Sequence, residues 1–100
     1  MIRIPTNRAP THPGEILLEE FLKPLGVTQS ELADKAKIPF QRVNQIIKGK
    51  RSVTPDTAMR LAKVLGTSID LWLNLQLAWD KYEAMNSKKA KEIEKLERIA

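Results

Sequence analysis

The dipeptide Ile38-Pro39 limits the folding of this chain more than any other feature. A residue before proline is pushed out of the α region, and proline itself is best tolerated at a helix start. A corner therefore falls between two short stretches of helical periodicity. Upstream, Thr28-Gln29-Ser30-Glu31 is a capping box, in which the hydroxyl and the carboxylate each satisfy an orphan backbone N–H, and the helix it opens runs to about Lys37. Downstream, Val43, Ile46 and Ile47 give one apolar stripe, Gln41, Arg42, Asn44, Gln45 and Lys48 point elsewhere, and Gly49 closes the segment. One face is greasy and the other is polar and basic.

The rest of the chain is punctuated in the same way. Ile16, Leu17, Glu20, Phe21 and Leu25 have helical spacing, with Thr11 or His12 as cap and Gly26 as stop. Thr54-Pro55-Asp56 places a cap, a first-position proline and a first-turn acid in the order that starts a helix, which Gly66 ends. Ser68 caps a further helix whose first turns are almost wholly apolar, from Ile69 through Leu71, Trp72, Leu73, Leu75 and Leu77 to Trp79. Beyond Gly66 there is neither glycine nor proline, so helix can continue to the end with Asn86-Ser87 as its weak point. Glu92, Glu94, Lys95, Glu97 and Arg98 suggest a solvated helix with ion pairs three and four residues apart, and Ile93 and Leu96 are left either to pack back or to meet a partner. No alternating β-branched run exceeds Ile2-Arg3-Ile4. The expected class is all-α, with five to six helices: an arm over residues 1–11, a domain over 12–82 and a helical tail over 83–100.

At 100 residues with 42% hydrophobic and 29% charged composition, the chain suits one folded domain. It has no cysteine and one histidine, which argues against thiol chemistry, metal sites, cofactors and catalytic triads, and so against an enzyme. His12 is expected to cap a helix or lie at the surface. No apolar run is long enough to cross a bilayer, and the first residues lack the apolar middle of a secretory signal, so the expected location is cytoplasmic with no membrane partner. The net charge of +5 favours a polyanionic partner, and the segment 37–51 carries Lys37, Arg42, Lys48, Lys50 and Arg51 with no acidic residue.

Two short helices at a tight turn, the second with a basic polar face, describe a helix-turn-helix. Leu32, Ala33, Ile38, Val43, Ile46 and Ile47 supply the apolar contacts between them, and small Ala33 allows close approach. Phe40, Gln41, Asn44 and Gln45 then project outward as candidates for reading bases, because glutamine and asparagine can pair bidentately with adenine and an aromatic ring can pack on a thymine methyl. Phe40 could instead tuck against the preceding helix. Gln29, Arg42, Lys48, Lys50 and Arg51 are better placed for phosphates, with Gln29 beside a helix N-terminus. Such a unit reads one half-site, and a dimer sets two recognition helices about 34 Å apart on a palindromic operator. The apolar surface beginning at Ile69 exceeds the needs of one core, so Leu71, Trp72, Leu75 and Trp79 are the expected homodimer interface, shared with the core.

Over roughly His12 to Tyr82 the sequence resembles the Xre/Cro-type, lambda-repressor-like helix-turn-helix family, and more narrowly the HigA antitoxins, also described as VapI-like plasmid-maintenance antidote proteins. The resemblance rests on HPGEIL, on TQSELADKAKIPFQRVNQIIKGKR, and on SVTPDTAMRLAKVLGTSIDLWLNLQ, the last being the discriminating part. It implies a dimer that binds double-stranded operator DNA, represses its own operon and neutralises a HigB-like, RelE-type mRNA endonuclease, with toxin contacts made by the arm or the tail. A free-standing Xre regulator with no toxin is the alternative.

Overall fold

The structure, a computed structural model, describes residues 9–100. Within them the fold is all-helical, with six helices and no strand. Helix α1 spans 13–25 and is made of an α-helical turn (Pro13–Ile16), a widened π-helical stretch (Leu17–Leu22) and a last α-helical turn (Lys23–Leu25). The widening has a local cause. Pro24 lacks an N–H and its ring would strike the carbonyl four residues back; just before it the Lys23 N–H reaches Leu18 O, five residues back. Helices α2 (Gln29–Ala36) and α3 (Phe40–Ile47) flank the proline corner, and α4 (Pro55–Leu65), α5 (Ile69–Met85) and α6 (Lys88–Glu94) follow. The expected break at Asn86-Ser87 is where α5 ends and α6 begins. No helix among the described residues is long and apolar enough to cross a membrane.

Most helix ends are set by the residues next to them. Thr28 Oγ1 accepts from the Glu31 N–H at 3.0 Å while Glu31 Oε1 accepts from the Thr28 N–H at 3.2 Å. Thr54 and Ser68 cap α4 and α5 with the hydroxyl alone, accepting from the Thr57 and Leu71 N–H without a reciprocal bond, and Gly26 and Gly66 close α1 and α4 in the left-handed conformation. At the end of α2 the left-handed position belongs to Lys37, at φ 56°, a conformation that costs a residue with a Cβ. Arg60 of α4 supports it: Nη1 donates to Ala36 O at 3.1 Å and Lys37 O at 3.2 Å.

The core brings together α1 (Leu17, Leu22), α2 (Leu32, Ala33), the corner (Ile38), α3 (Val43, Ile46), α4 (Ala58, Leu61) and α5 (Trp72). Gln76 is buried among them; its Oε1 accepts from the Val53 N–H at 2.7 Å and its Nε2 donates to Asp80 at 2.9 Å, so the loop before α4 is pinned to α5. Two expectations need correction. Trp72, expected at a subunit interface as well as in the core, is 0% exposed and ties its indole N–H to Thr67 Oγ1 at 2.8 Å, so it has no surface to give a partner. Leu71, Leu75 and Trp79 remain half-buried, and Ile69 and Leu77 of the same helix are exposed. The ion pairs expected among Glu92, Glu94, Lys95, Glu97 and Arg98 are not formed; among the described residues the ion pairs are Lys23–Glu19 and Arg60–Asp56. Helix ends at Glu94, which removes the spacing those pairs require. The expected arm over 1–11 falls largely on residues 1–8, outside the described residues.

Candidate nucleic-acid interface

Helix α3 is held from behind at three points. Val43 and Ile46 are buried against the core, Ile38 anchors the corner below them, and the start of α1 lies directly on the end of α3. The last contact is very close: a Cβ on Gly14 would overlap the Ile46 carbonyl and stand 2.8 Å from the Ile47 Cα, so only glycine fits. His12 completes this clamp. Its Nδ1 accepts from the Gly14 N–H at 2.9 Å, its ring lies beside Gly49 just past α3, and it meets Trp79 of α5 edge-to-face at 5.1 Å. Of the two roles expected for His12, the structure has the cap, and the residue is buried rather than at the surface. Burial lowers its pKa below 6.5, with nearby Asp80 pulling in the opposite direction, so the ring stays neutral and Nδ1 stays free to accept.

With its back filled, α3 turns its polar side outward. Phe40 is 48% exposed rather than tucked against α2, and Gln41 is exposed beside it. Asn44 and Gln45 are half-buried, and each already has a side-chain partner. Asn44 Nδ2 donates to Gln29 Oε1 at 3.0 Å across the corner, and Arg51 Nε donates to Gln45 Oε1 at 2.8 Å from the following loop. The structure thus joins members of the two residue sets that the sequence separated into base and phosphate contacts. Lys48, Lys50 and Arg51 are exposed at the far end of α3. Arg42 is half-buried and turns toward the start of α4, where it lines a groove with Arg51, Ser52 and Thr54. Among the described residues none of Arg42, Lys48, Lys50 and Arg51 forms an ion pair; Asp56, which lines the same groove as Arg42 and Arg51, is paired with Arg60.

Ser52 and Thr54, beside two arginines at a helix N-terminus, were not singled out from the sequence. Thr54 was recognisable only as a cap, and nothing local places the loop after α3 against α4. Among the described residues there is also no cluster of side chains suited to hold a metal ion. The surface offers amides, one aromatic ring and cations arranged on a rigid helix, which is chemistry for contacting an anionic, base-bearing polymer.

Known proteins are similar to this chain in sequence and in fold. Residues 18–72 match the HTH_3 family model, described as helix-turn-helix. The uncharacterized HTH-type transcriptional regulator YbaQ of Escherichia coli K12 is 43% identical over 86 residues, which cover 86% of this chain and 76% of that protein. The solved structure of an addiction module antidote protein of a HigA family from Coxiella burnetii is 42% identical with a TM-score of 0.82, covering 91% of this chain and 99% of that one. That of Pseudomonas aeruginosa antitoxin HigA with the higBA promoter is 32% identical with a TM-score of 0.83, covering 91% and 99%.

Proposed function

The chain belongs to the Xre-type helix-turn-helix family, among the HigA antitoxins, a family of DNA-binding regulators and not of enzymes, and on that premise we propose that it is a dimeric repressor of its own operon that also neutralises an mRNA-endonuclease toxin of the HigB type. The observation that carries the DNA-binding half is the outward face of α3: Phe40, Gln41, Asn44 and Gln45 stand over a filled apolar back, beside cations that form no ion pair among the described residues. Those four side chains contact base edges in the major groove. Gln29, Arg42, Lys48, Lys50 and Arg51 contact phosphates, which sets register and salt dependence. The relative with a promoter bound supports the assignment.

Leu71, Leu75 and Trp79 carry the homodimer contact, with Trp72 behind them in the core, and two recognition helices then reach half-sites about 34 Å apart on a palindromic operator. DNA binding belongs to residues 12–82, and toxin contact to the arm (1–11) or the tail (83–100). The protein acts in the cytoplasm. The toxin half is supported by the HigA-type relatives. A second reading, a free-standing transcriptional regulator without a toxin, is favoured by the description of the relative YbaQ as a regulator.

Two experiments test the reading. Purified protein should protect a palindromic segment upstream of its own gene, and full indifference to that DNA at modest ionic strength would overturn the repressor. Co-expression with a toxin-like neighbouring gene should restore growth; a neighbour with no toxic effect would leave the free-standing regulator.

A further inference from the structure

Among the described residues the buried polar side chains are His12, Thr57 and Gln76, and they come from separate parts of the fold: the cap of α1, the first turn of α4 and the middle of α5. All of them converge on the segment 49–54. The His12 ring lies beside Gly49, Thr57 Oγ1 accepts from the Thr54 hydroxyl at 3.3 Å, and Gln76 Oε1 accepts from the Val53 N–H at 2.7 Å. Burying a polar group is costly unless its hydrogen bonds are made, and once made in a dry interior those bonds hold their partners firmly.

The segment so held carries Lys50 and Arg51, and Lys48 stands at its entrance. Val53 lies two residues beyond Arg51, and its N–H has a side chain rather than a backbone carbonyl as partner. A backbone N–H only donates, so the Gln76 atom facing it is the amide oxygen; Asp80 keeps the amide that way round, because Gln76 Nε2 donates to Asp80 Oδ1 at 2.9 Å. Lysine and arginine on a moving loop must be ordered at the moment they bind, which lowers affinity. On a loop fixed from within, much of that ordering is already done.

Resting on the reading of Lys48, Lys50 and Arg51 as phosphate contacts, we propose that Gln76 is a positioning residue for DNA binding. It touches no DNA itself. From inside the molecule it sets the exit of the cation loop, Asp80 orients Gln76, and His12 holds the start of the loop. Helix α3 is anchored separately by Val43 and Ile46, so this device governs the grip on the phosphate backbone and leaves the reading of bases alone.

The test is titration of the full-length protein against the operator and a scrambled duplex over a series of salt concentrations, at neutral pH and below the melting temperature of every variant. Gln76→Met keeps the length of the side chain and the net charge while removing the acceptor. It should weaken binding to both duplexes by the same factor, about ten-fold, so that the operator-to-scrambled ratio holds. The log–log salt slope should fall by about one for each phosphate the loop no longer holds. A residue that serves stability alone would lower the melting temperature and leave both affinities and the slope of the folded protein unchanged. Should Gln76→Met not fold, His12→Asn, which keeps the α1 cap and takes the ring away from Gly49, should give the same uniform loss and lower slope. A folded variant with wild-type affinity and slope on both duplexes, or with a loss confined to the operator, overturns the inference and leaves the phosphate contacts standing. If Lys50→Ala and Arg51→Ala leave the slope at its wild-type value, the phosphate reading itself fails.

Discussion

At the α2–α3 corner Leu32, Val43 and Ile46 are each 1% exposed, whereas in the tail Ile93, Leu96 and Ile99 are 61%, 73% and 105% exposed. Both regions space apolar residues three or four apart along the chain, as an amphipathic helix does. The difference lies in what faces them. Helix α3 has α1 and α2 behind it, a proline corner that fixes its start and a glycine contact that fixes its end; α6 chiefly touches α5, has no side-chain cap at Ser87 and spans seven residues. A helix so short is marginal in water without tertiary support. An apolar stripe stabilises a helix only when another surface covers it, so the body of the molecule holds its stability and the tail adds little by itself.

Substitutions can break this contrast or sharpen it. Trp72→Ala removes the largest fully buried side chain and should cost about 3–5 kcal/mol in a denaturant titration; a loss below about 1 kcal/mol would mean that α5 is not docked on the core. Gly14→Ala forces a methyl into the Ile46 carbonyl and should cost about 3 kcal/mol or more, since two backbones rather than flexible side chains must give way. A Gly14→Ala protein as stable as wild type would show that the α1–α3 clamp is not tight.

The His12 clamp should depend on pH with a definite sign. Its folded pKa lies below the ordinary 6.5, so at intermediate pH the unfolded chain binds the proton more readily. Its contribution is complete above about pH 6.5 and is lost as pH falls through the lowered folded value. The melting temperature should therefore drop between pH 7 and pH 5.5, and it should drop less in His12→Asn, which can cap but cannot titrate in this range. Equal slopes in the two proteins would remove His12 from the clamp. The smallest effect belongs to the tail: Ile93→Ala with Leu96→Ala should change stability by no more than about 0.5 kcal/mol, and a larger loss would mean that the stripe is covered in the free protein.

What could be read from the sequence follows the same division between near and far. The caps at Thr28, Thr54 and Ser68, the stops at Gly26 and Gly66, the proline corner and the break at Asn86-Ser87 depend on neighbours within a few residues, and local chemistry determines them. The apolar back of α3 was legible for the same reason, because its periodicity is local. Gln76 and Arg60 gave no such signal: one bonds Val53, 23 residues away, and the other Ala36, 24 residues away. Trp72 and Trp79 share a helix face in sequence, and only packing separates the one sealed in the core from the one lying against His12. The pairing of Gln29 with Asn44, 15 residues apart, and the turn of Arg42 toward α4 arise likewise from how helices meet.

The central claim is that α3 reads bases with its amides while the surrounding cations hold the backbone. Gln41, exposed and facing away from the core, tests it most directly. Binding of wild type and Gln41→Ala should be measured by titration against the operator and against a scrambled duplex at one fixed salt concentration. The account predicts a loss of about 1–3 kcal/mol on the operator and almost none on the scrambled DNA. Equal losses on both duplexes, or no loss on either, would contradict it.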